Sequence, residues 1–315
     1  MPKWAFSLIL ICFLLLVSSP VSASIASFGQ IFKSQPMIIS HQMQDSGTKL
    51  LVNEWVPQGL VYYSQKNWLL VSAYRGITDK NGTRNETIIT ITYPHSNRVI
   101  KSVKLLDDQG KQHFGHAGGI TVTDKDLWVA STGKKNYVLQ YSLKDLEQSQ
   151  NEGTIKAKRV YSFQHKTSHV SWSKGSSIGD RLCIGEYQKK EKGAVYCYSL
   201  DANGYMIRAN PIIHTIPGDV QGMSFYQDPQ NLQTYIIYSR SFGRKLNSKL
   251  EIHGDFGLSD QNKKQLTIPT MSQGVTTVGP ALYVNFESGA EIYKDAKQNI
   301  YSLYYANLPF LLQLK

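Results

Sequence analysis

A polar residue followed by glycine and then an apolar strand recurs along this chain. It appears as Pro57-Gln58-Gly59-Leu60, His116-Ala117-Gly118-Gly119-Ile120, Ser168-His169-Val170-Ser171-Trp172, Val220-Gln221-Gly222-Met223 and Ser272-Gln273-Gly274-Val275. With Gly59, Gly119, Val170, Gly222 and Gly274 taken as equivalent, the steps are 60, 51, 52 and 52 residues. A repeat of that length is one supersecondary unit that buries its faces only against its neighbours, so the chain must build an array or a ring.

Each unit holds a short strand, a turn, a more hydrophobic strand and then two more polar alternating strands. The hydrophobic strands are expected at Trp68 to Tyr74, Leu127 to Ser131, Arg181 to Tyr187, Thr234 to Arg240 and Ala281 to Glu287. Four antiparallel strands in a period of about 40 to 50 residues describe a propeller blade, and no segment reads as the long helix of a parallel crossover. The expected fold is therefore all-β, a five-bladed β-propeller of four-stranded blades beginning near 56, 116, 168, 220 and 272, with six blades as the alternative. Glycine at the head of the innermost strand fits, because those strands crowd the axis. The last unit supplies three clear strands, so its fourth is expected from residues 36–44, pairing the two chain ends, with the tail from Leu308 to Lys315 as competitor.

Lys3, the apolar run from Ala5 to Val17 and the small residues at Val21-Ser22-Ala23 read as a secretory signal over 1–23. An uncleaved anchor is the alternative, although the run falls short of the roughly 20 apolar residues of a membrane span. Residues 24–315 then form one exported domain, extracellular or in the cell envelope, with no transmembrane segment and expected as a monomer. Cys183 and Cys197 mirror each other about residue 190 across a polar turn. Hairpin pairing sets them opposite, and a cross-strand disulfide is expected rather than two free thiols. The chain carries 34 Lys+Arg against 23 Asp+Glu. Such an excess, spread along the sequence, favours acidic partners, while no basic helix or RNA-binding fingerprint points to a specific nucleic acid.

Val56-Pro-Gln-Gly-Leu60, Gly115-His-Ala-Gly-Gly119, Gln221-Gly222-Met223, Met271-Ser-Gln-Gly274 and Glu287-Ser-Gly-Ala290 carry a resemblance. Over residues 55–295 the chain is similar to a group of uncharacterised secreted bacterial five-bladed β-propeller-like repeat proteins. The resemblance implies the fold and the export route and carries no catalytic residue across. The five-bladed glycosidases resemble the chain in blade count, but Glu54-Trp55-Val56-Pro57-Gln58 replaces their blade-opening aspartate.

In a propeller the loops leading into the innermost strands and those leaving the second strands share one end of the central channel. The strand starts would bring Gln58, His116, His169, Gln221 and Gln273 there, and the second-strand ends Arg75, Thr132, Glu186, Arg240 and Glu287. Amides and imidazoles both donate and accept, so the ring of starts either ties blade to blade or binds a small polar ligand. His116 and His169, with His113 nearby, are two ligands without a fixed third, so no metal or other cofactor is expected, an axial ion being the alternative. Converging carboxylates for a calcium site are too few. Glu186 and Glu287 have acid–base chemistry, and Arg75 and Arg240 suit an anionic ligand, unless these charges simply pair with one another. Tyr62, Tyr74, Tyr187, Tyr226 and Trp172, on or near inner strands, either pack the sheets or stack on a sugar. No nucleophile elbow, zinc-protease motif or phosphate loop is present. The sequence thus points to a binding module for a glycan or anionic cell-envelope polymer, using Gln58, Arg75, His116, His169, Gln221, Arg240 and Gln273. The alternatives are an extracellular hydrolase using Glu186 and Glu287, and a protein-interaction scaffold.

Overall fold

Segments such as Thr87-Ile-Ile-Thr-Ile-Thr92 and Leu282-Tyr-Val-Asn-Phe286 are runs of β-branched and aromatic residues, which fit a pleated, packed surface better than a helix. A computed structural model describes residues 27–37, 54–76, 86–96, 98–133, 135–254, 256 and 263–314. The expected signal at 1–23 lies outside them.

A short helix α1 (Phe28–Ile31) leads into β1 (Lys33–Pro36), whose partner comes from the far end of the chain. The first blade is β2 (Trp55–Tyr63), β3 (Trp68–Arg75), β4 (Thr87–Thr92) and β5 (Val99–Leu106). The second begins with β6 (Gly119–Val122), β7 (Asp126–Ser131) and β8 (Asn136–Ser142). Helix α2 (Leu143–Gln148) and β9 (Thr154–Lys156) then make an excursion before β10 (Arg159–Phe163) completes it. The third is β11 (His169–Trp172), β12 (Leu182–Gly185), β13 (Gly193–Tyr198) and β14 (Ile212–Ile216). The fourth is β15 (Val220–Gln227), β16 (Thr234–Arg240), β17 (Ser248–His253) and β18 (Lys264–Ile268). In the fifth, β19 (Ser272–Val278), β20 (Ala281–Phe286) and β21 (Ser302–Asn307) are joined by β1, and helix α3 (Leu308–Gln313) follows.

The five blades of four antiparallel strands are thus present. Strand β9 adds a fifth, parallel strand to the first sheet by pairing with β5, which covers that outer edge. The ring closes through Lys33–Pro36, each residue paired with β21. Only Pro36 of this strand falls within the expected 36–44, of which residues 38–44 lie outside the described chain. The competing tail is helical from Leu308 to Gln313 and buries Leu308 and Leu311.

Apolar side chains gather between blades rather than within one. One cluster joins Ile89 and Val103 of the first blade to Val129 and Leu139 of the second, and another joins Ile237 and Leu250 of the fourth to Leu282 and Val284 of the fifth. The remaining gaps are filled likewise, the first and fifth blades meeting around Leu69, Trp55 and Tyr283. At the hub each innermost strand packs on the next. A Cβ on Gly59 would lie 2.6 Å from the Ile120 nitrogen, one on Gly119 2.6 Å from the His169 Cα, and one on Gly274 2.5 Å from the Leu60 nitrogen. Val170 has no such role, and the third-to-fourth junction is packed instead by Cys183, Val220 and Met223.

The disulfide is formed between Cys183 and Cys197, directly opposite each other on β12 and β13. Both are fully buried. Among the described residues no helix is long and apolar enough to cross a membrane.

Candidate functional site

Three of the innermost strands carry a β-bulge at the same place. The register slips between Pro57 and Leu60, between Val220 and Gly222, and between Ser272 and Val275. A bulge inserts an extra residue and re-aims its side chain, and each of these stretches contains the repeat's glutamine: Gln58, Gln221 and Gln273. The neighbouring second strands contribute small polar groups that stitch one blade to the next. Ser72 Oγ donates to the Ala117 carbonyl at 2.7 Å, Ser239 Oγ to Ser272 Oγ at 2.7 Å, and Asn285 Nδ2 to the Gln58 carbonyl at 2.9 Å.

Glu287 sits where β20 ends, its backbone nitrogen donating to the Met271 carbonyl at 3.1 Å. Gln58 Nε2 donates to its Oε2 at 3.0 Å. The Gln273 amide and the Tyr293 hydroxyl also hydrogen-bond to this carboxyl. It is only 9% exposed. Burial pushes its pKa up to about 7, against the opposing pull of these donors and of the Arg244 charge. A neutral acid and a carboxylate are then both accessible at physiological pH. From Tyr293 the contacts run outward: its hydroxyl meets that of Tyr74 at 3.2 Å, and the Tyr74 ring is stacked at 4.7 Å on the exposed imidazole of His116.

A second buried carboxylate lies beside Tyr187. Asp219, just ahead of β15, accepts from the Tyr187 hydroxyl at 3.4 Å and from the Lys190 nitrogen at 3.1 Å, both at Oδ1. The Tyr187 phenol is pushed up by burial first, then by Asp219, and also by the charge of Glu287. Tyr187 therefore lies within electrostatic reach of both carboxyl groups.

The structure brings Gln58, Gln273 and Glu287 into direct contact, with His116 on the Tyr74 ring beside them. Gln221 is half-buried in the bulge of the fourth blade. His169 is 1% exposed, its ring laid against Gly185, and among the described residues neither ring nitrogen has a hydrogen-bond partner. Burial pushes its pKa down to about 4. Glu186 accepts from Gln188 Nε2 at 3.0 Å and from the Tyr196 hydroxyl at 3.4 Å, both within its own blade. Arg75 pairs with Glu54 at 3.6 Å and lies 5.1 Å over Trp55. Arg240 pairs with the buried Glu251 at 2.5 Å and donates to the Gly218 carbonyl. Among the described residues no group of three or more His, Cys, Asp or Glu is arranged to hold a metal ion. Asp219 and Tyr293 escaped the sequence reading. Asp219 stands two residues before Gln221, whereas Tyr293 lies in a 3-10 turn between β20 and β21, outside the recurring motif.

No protein-family profile and no curated protein sequence matches the chain. Solved structures do. An exo-β-1,3-galactanase from Phanerochaete chrysosporium with β-1,3-galactotriose aligns with a TM-score of 0.51 at 11% identity, over 88% of this chain and 64% of that one. A GH43_1 enzyme from Xanthomonas citri complexed with xylotriose gives 0.45 at 10% identity, over 89% and 91%. A Hadza microbial sialidase gives 0.47 at 10% identity, over 80% and 52%, so this chain spans about half of the sialidase and about two-thirds of the galactanase. At these identities the similarity concerns the fold.

Proposed function

We propose that the end of the channel where Glu287 lies binds a glycan, and that the glycan is negatively charged. The observation that carries the reading is the Glu287 carboxyl held by Gln58, Gln273 and Tyr293 beside the Tyr74–His116 stack. Amide, phenol and carboxyl groups match sugar hydroxyls in hydrogen bonding, and aromatic faces suit the apolar face of a pyranose. The galactanase with the same fold is a glycan-active protein, which supports a carbohydrate ligand here. The acidic character follows from the loops. Lys189, Lys190 and Lys192 are exposed in the turn between β12 and β13, next to Tyr187 and Asp219, and Lys166 donates to the Tyr187 carbonyl at 3.4 Å. These lysines take the role that the sequence alone gives to Arg75 and Arg240, whose guanidinium groups are engaged by Glu54 and Glu251. The buried Cys183–Cys197 bridge belongs to an oxidising compartment, which supports action outside the cytoplasm on a cell-envelope or extracellular polymer.

Binding is tested by affinity electrophoresis in polygalacturonate, hyaluronate and dextran. An acidic polymer should retard the protein and dextran should not, with retardation falling as salt is raised. Replacing Lys189, Lys190 and Lys192 together by Glu should abolish it, and Gln273→Ala should weaken it about tenfold, the scale of one lost hydrogen bond to a charged group. Equal retardation by dextran, or none by either acidic polymer, rejects the reading.

A further inference from the structure

We propose that Arg244 is the group that reads the acid of the bound glycan and that this acid is a carboxylate, so that the site takes uronic acid polymers in preference to sulfated ones. The inference rests on the glycan-binding reading and narrows its ligand class. The sequence pattern points to Arg240 for this role, but the Arg240 guanidinium is engaged by Glu251 and the Gly218 carbonyl. Arg244 lies four residues on, in the loop between β16 and β17, and its side chain is 45% exposed.

The loop between β20 and β21, from the next blade, holds this arginine in place. Its Cζ lies 4.8 Å over the Tyr293 ring, Nη1 donates to Asp295 Oδ1 at 2.8 Å, and its carbonyl accepts from the Lys297 nitrogen at 2.8 Å. Lys245 pairs with the same aspartate at 3.6 Å, and Lys297 Nζ donates to Asn247 Oδ1 at 2.9 Å, so the two loops are tied at several points. Tyr293 is the link to the site. Its hydroxyl bonds the Glu287 carboxyl and meets the hydroxyl of Tyr74, the ring on which His116 is stacked. The Glu287 cluster and the guanidinium thus share one phenol, the first at its hydroxyl and the second over its face. A pyranose is about as wide as a phenol, so a sugar whose hydroxyls meet the Glu287 cluster brings its own acid group to Arg244.

The kind of acid follows from the shape of the guanidinium. Among the described residues its only hydrogen bond is from Nη1, and its plane is set by Tyr293 and Asp295, so the other N–H groups face a ligand in a fixed fork. Such a fork matches the two coplanar oxygens of a carboxylate, whereas an ammonium is a point charge indifferent to the shape of the anion. Lys189, Lys190 and Lys192 therefore attract any polyanion, and Arg244 chooses among them.

Affinity electrophoresis of the full chain in polygalacturonate and in dextran sulfate, at equal charge concentration, tests this. Polygalacturonate should retard the parent more strongly. Arg244→Ala should weaken polygalacturonate binding about tenfold, the scale of one lost charge-assisted bond. Arg244→Lys should recover dextran sulfate binding yet leave polygalacturonate binding within about threefold of the alanine variant, because the charge is restored without the fork. The ratio of the two polymers on one sample does not depend on how much of the variant is folded. Lys294→Ala removes the exposed cation beside Tyr293 that pairs with Glu291, and should change either binding by no more than about twofold. Recovery of both polymers in Arg244→Lys, or stronger retardation of the parent by dextran sulfate, would overturn the carboxylate assignment. Unchanged polygalacturonate binding in Arg244→Ala, or an equal loss in Lys294→Ala, would overturn the role of Arg244 while glycan binding stands. A parent retarded by neither polygalacturonate nor hyaluronate rejects both.

Discussion

At the hub the distance between adjacent blades is set by the absence of single carbon atoms. A Cβ on Gly274 would approach the Leu60 nitrogen to 2.5 Å and the Gln58 carbonyl oxygen to 2.8 Å, all backbone that cannot swing aside. Gly274→Ala should therefore force the first and fifth blades apart at a cost of about 1–3 kcal/mol, the scale of overpacking. Urea unfolding is the measurement, with Gly133→Ala as reference, because a Cβ there meets nothing within 4 Å. Equal stabilities would mean that the close approach is not tight. The same substitution should weaken polygalacturonate binding, since Gln273 and Gln58 would shift relative to Glu287. The glutamine–glycine pairs are legible because both requirements, a missing side chain and a polar one, fall on neighbouring positions at a fixed period. The role of Glu287 is less legible. Its partners Gln58 and Tyr293 come from 229 residues earlier in the chain and from the 3-10 turn between β20 and β21, respectively. The stitching groups Ser72, Ser239 and Asn285 left a faint mark as small polar residues inside otherwise apolar strands.

Two elements show why some pairings can be read from a sequence and others cannot. The hairpin of β12 and β13 is local, so the positions of its cysteines about the turn fix their register, and Cys183 does stand opposite Cys197. Its bridge closes a loop with a sequence separation of 14. Loss of loop-closure entropy in the unfolded chain predicts that Cys183→Ala with Cys197→Ala costs about 3 kcal/mol. Part of that cost is packing, because both sulfurs lie in the cluster with Val220 and Met223. Urea denaturation of the double variant against the reduced parent separates the two contributions. Ring closure, in contrast, joins residues about 270 apart in sequence, and hydrophobic patterning does not choose its register. A side chain marks it instead: the buried Gln35 donates to the Tyr93 carbonyl at 3.1 Å and the Ser96 carbonyl at 2.7 Å and accepts from the His95 nitrogen at 2.7 Å. These bonds lock β1 to the turn of the first blade as well as to β21. Gln35→Ala should remove three hydrogen bonds to half-buried backbone groups of that turn, costing about 1 kcal/mol. Amide exchange should then quicken at Lys33–Pro36 and in β21 before it does elsewhere. Uniform quickening over all five blades would argue that the ring opens as one unit rather than at this seam.

For the whole molecule, three buried groups with displaced protonation equilibria set how stability varies with pH. Glu287, pushed up to about 7 from 4.5, keeps a proton that the unfolded chain has lost, so its contribution is complete below pH 4.5 and disappears as pH rises to 7. His113 and His169 behave oppositely. Burial pushes each down to about 4 from 6.5, so the unfolded chain takes up the proton first and stability is lost as pH falls from 6.5 to 4. Glu251, where burial is outweighed by the bonds to His253 and Arg240, is held below 4.5 and so acts only under this window. Each displaced group contributes a slope of about 1.4 kcal/mol per pH unit. Between pH 4.5 and 6.5 two histidine slopes oppose one glutamate slope, leaving a net gain of about 1.4 kcal/mol per unit as pH rises. Above 6.5 only the Glu287 loss remains, which places the maximum near pH 6.5. In Glu287→Gln the opposing slope is gone. The acid-side gain should then double to about 2.8 kcal/mol per unit, and the decline above pH 6.5 should disappear. Urea denaturation midpoints of parent and variant at pH 5, 6.5 and 7.5 read this directly. Parallel curves would mean that Glu287 titrates as an ordinary surface carboxylate and that the site does not hold a protonated acid at neutral pH.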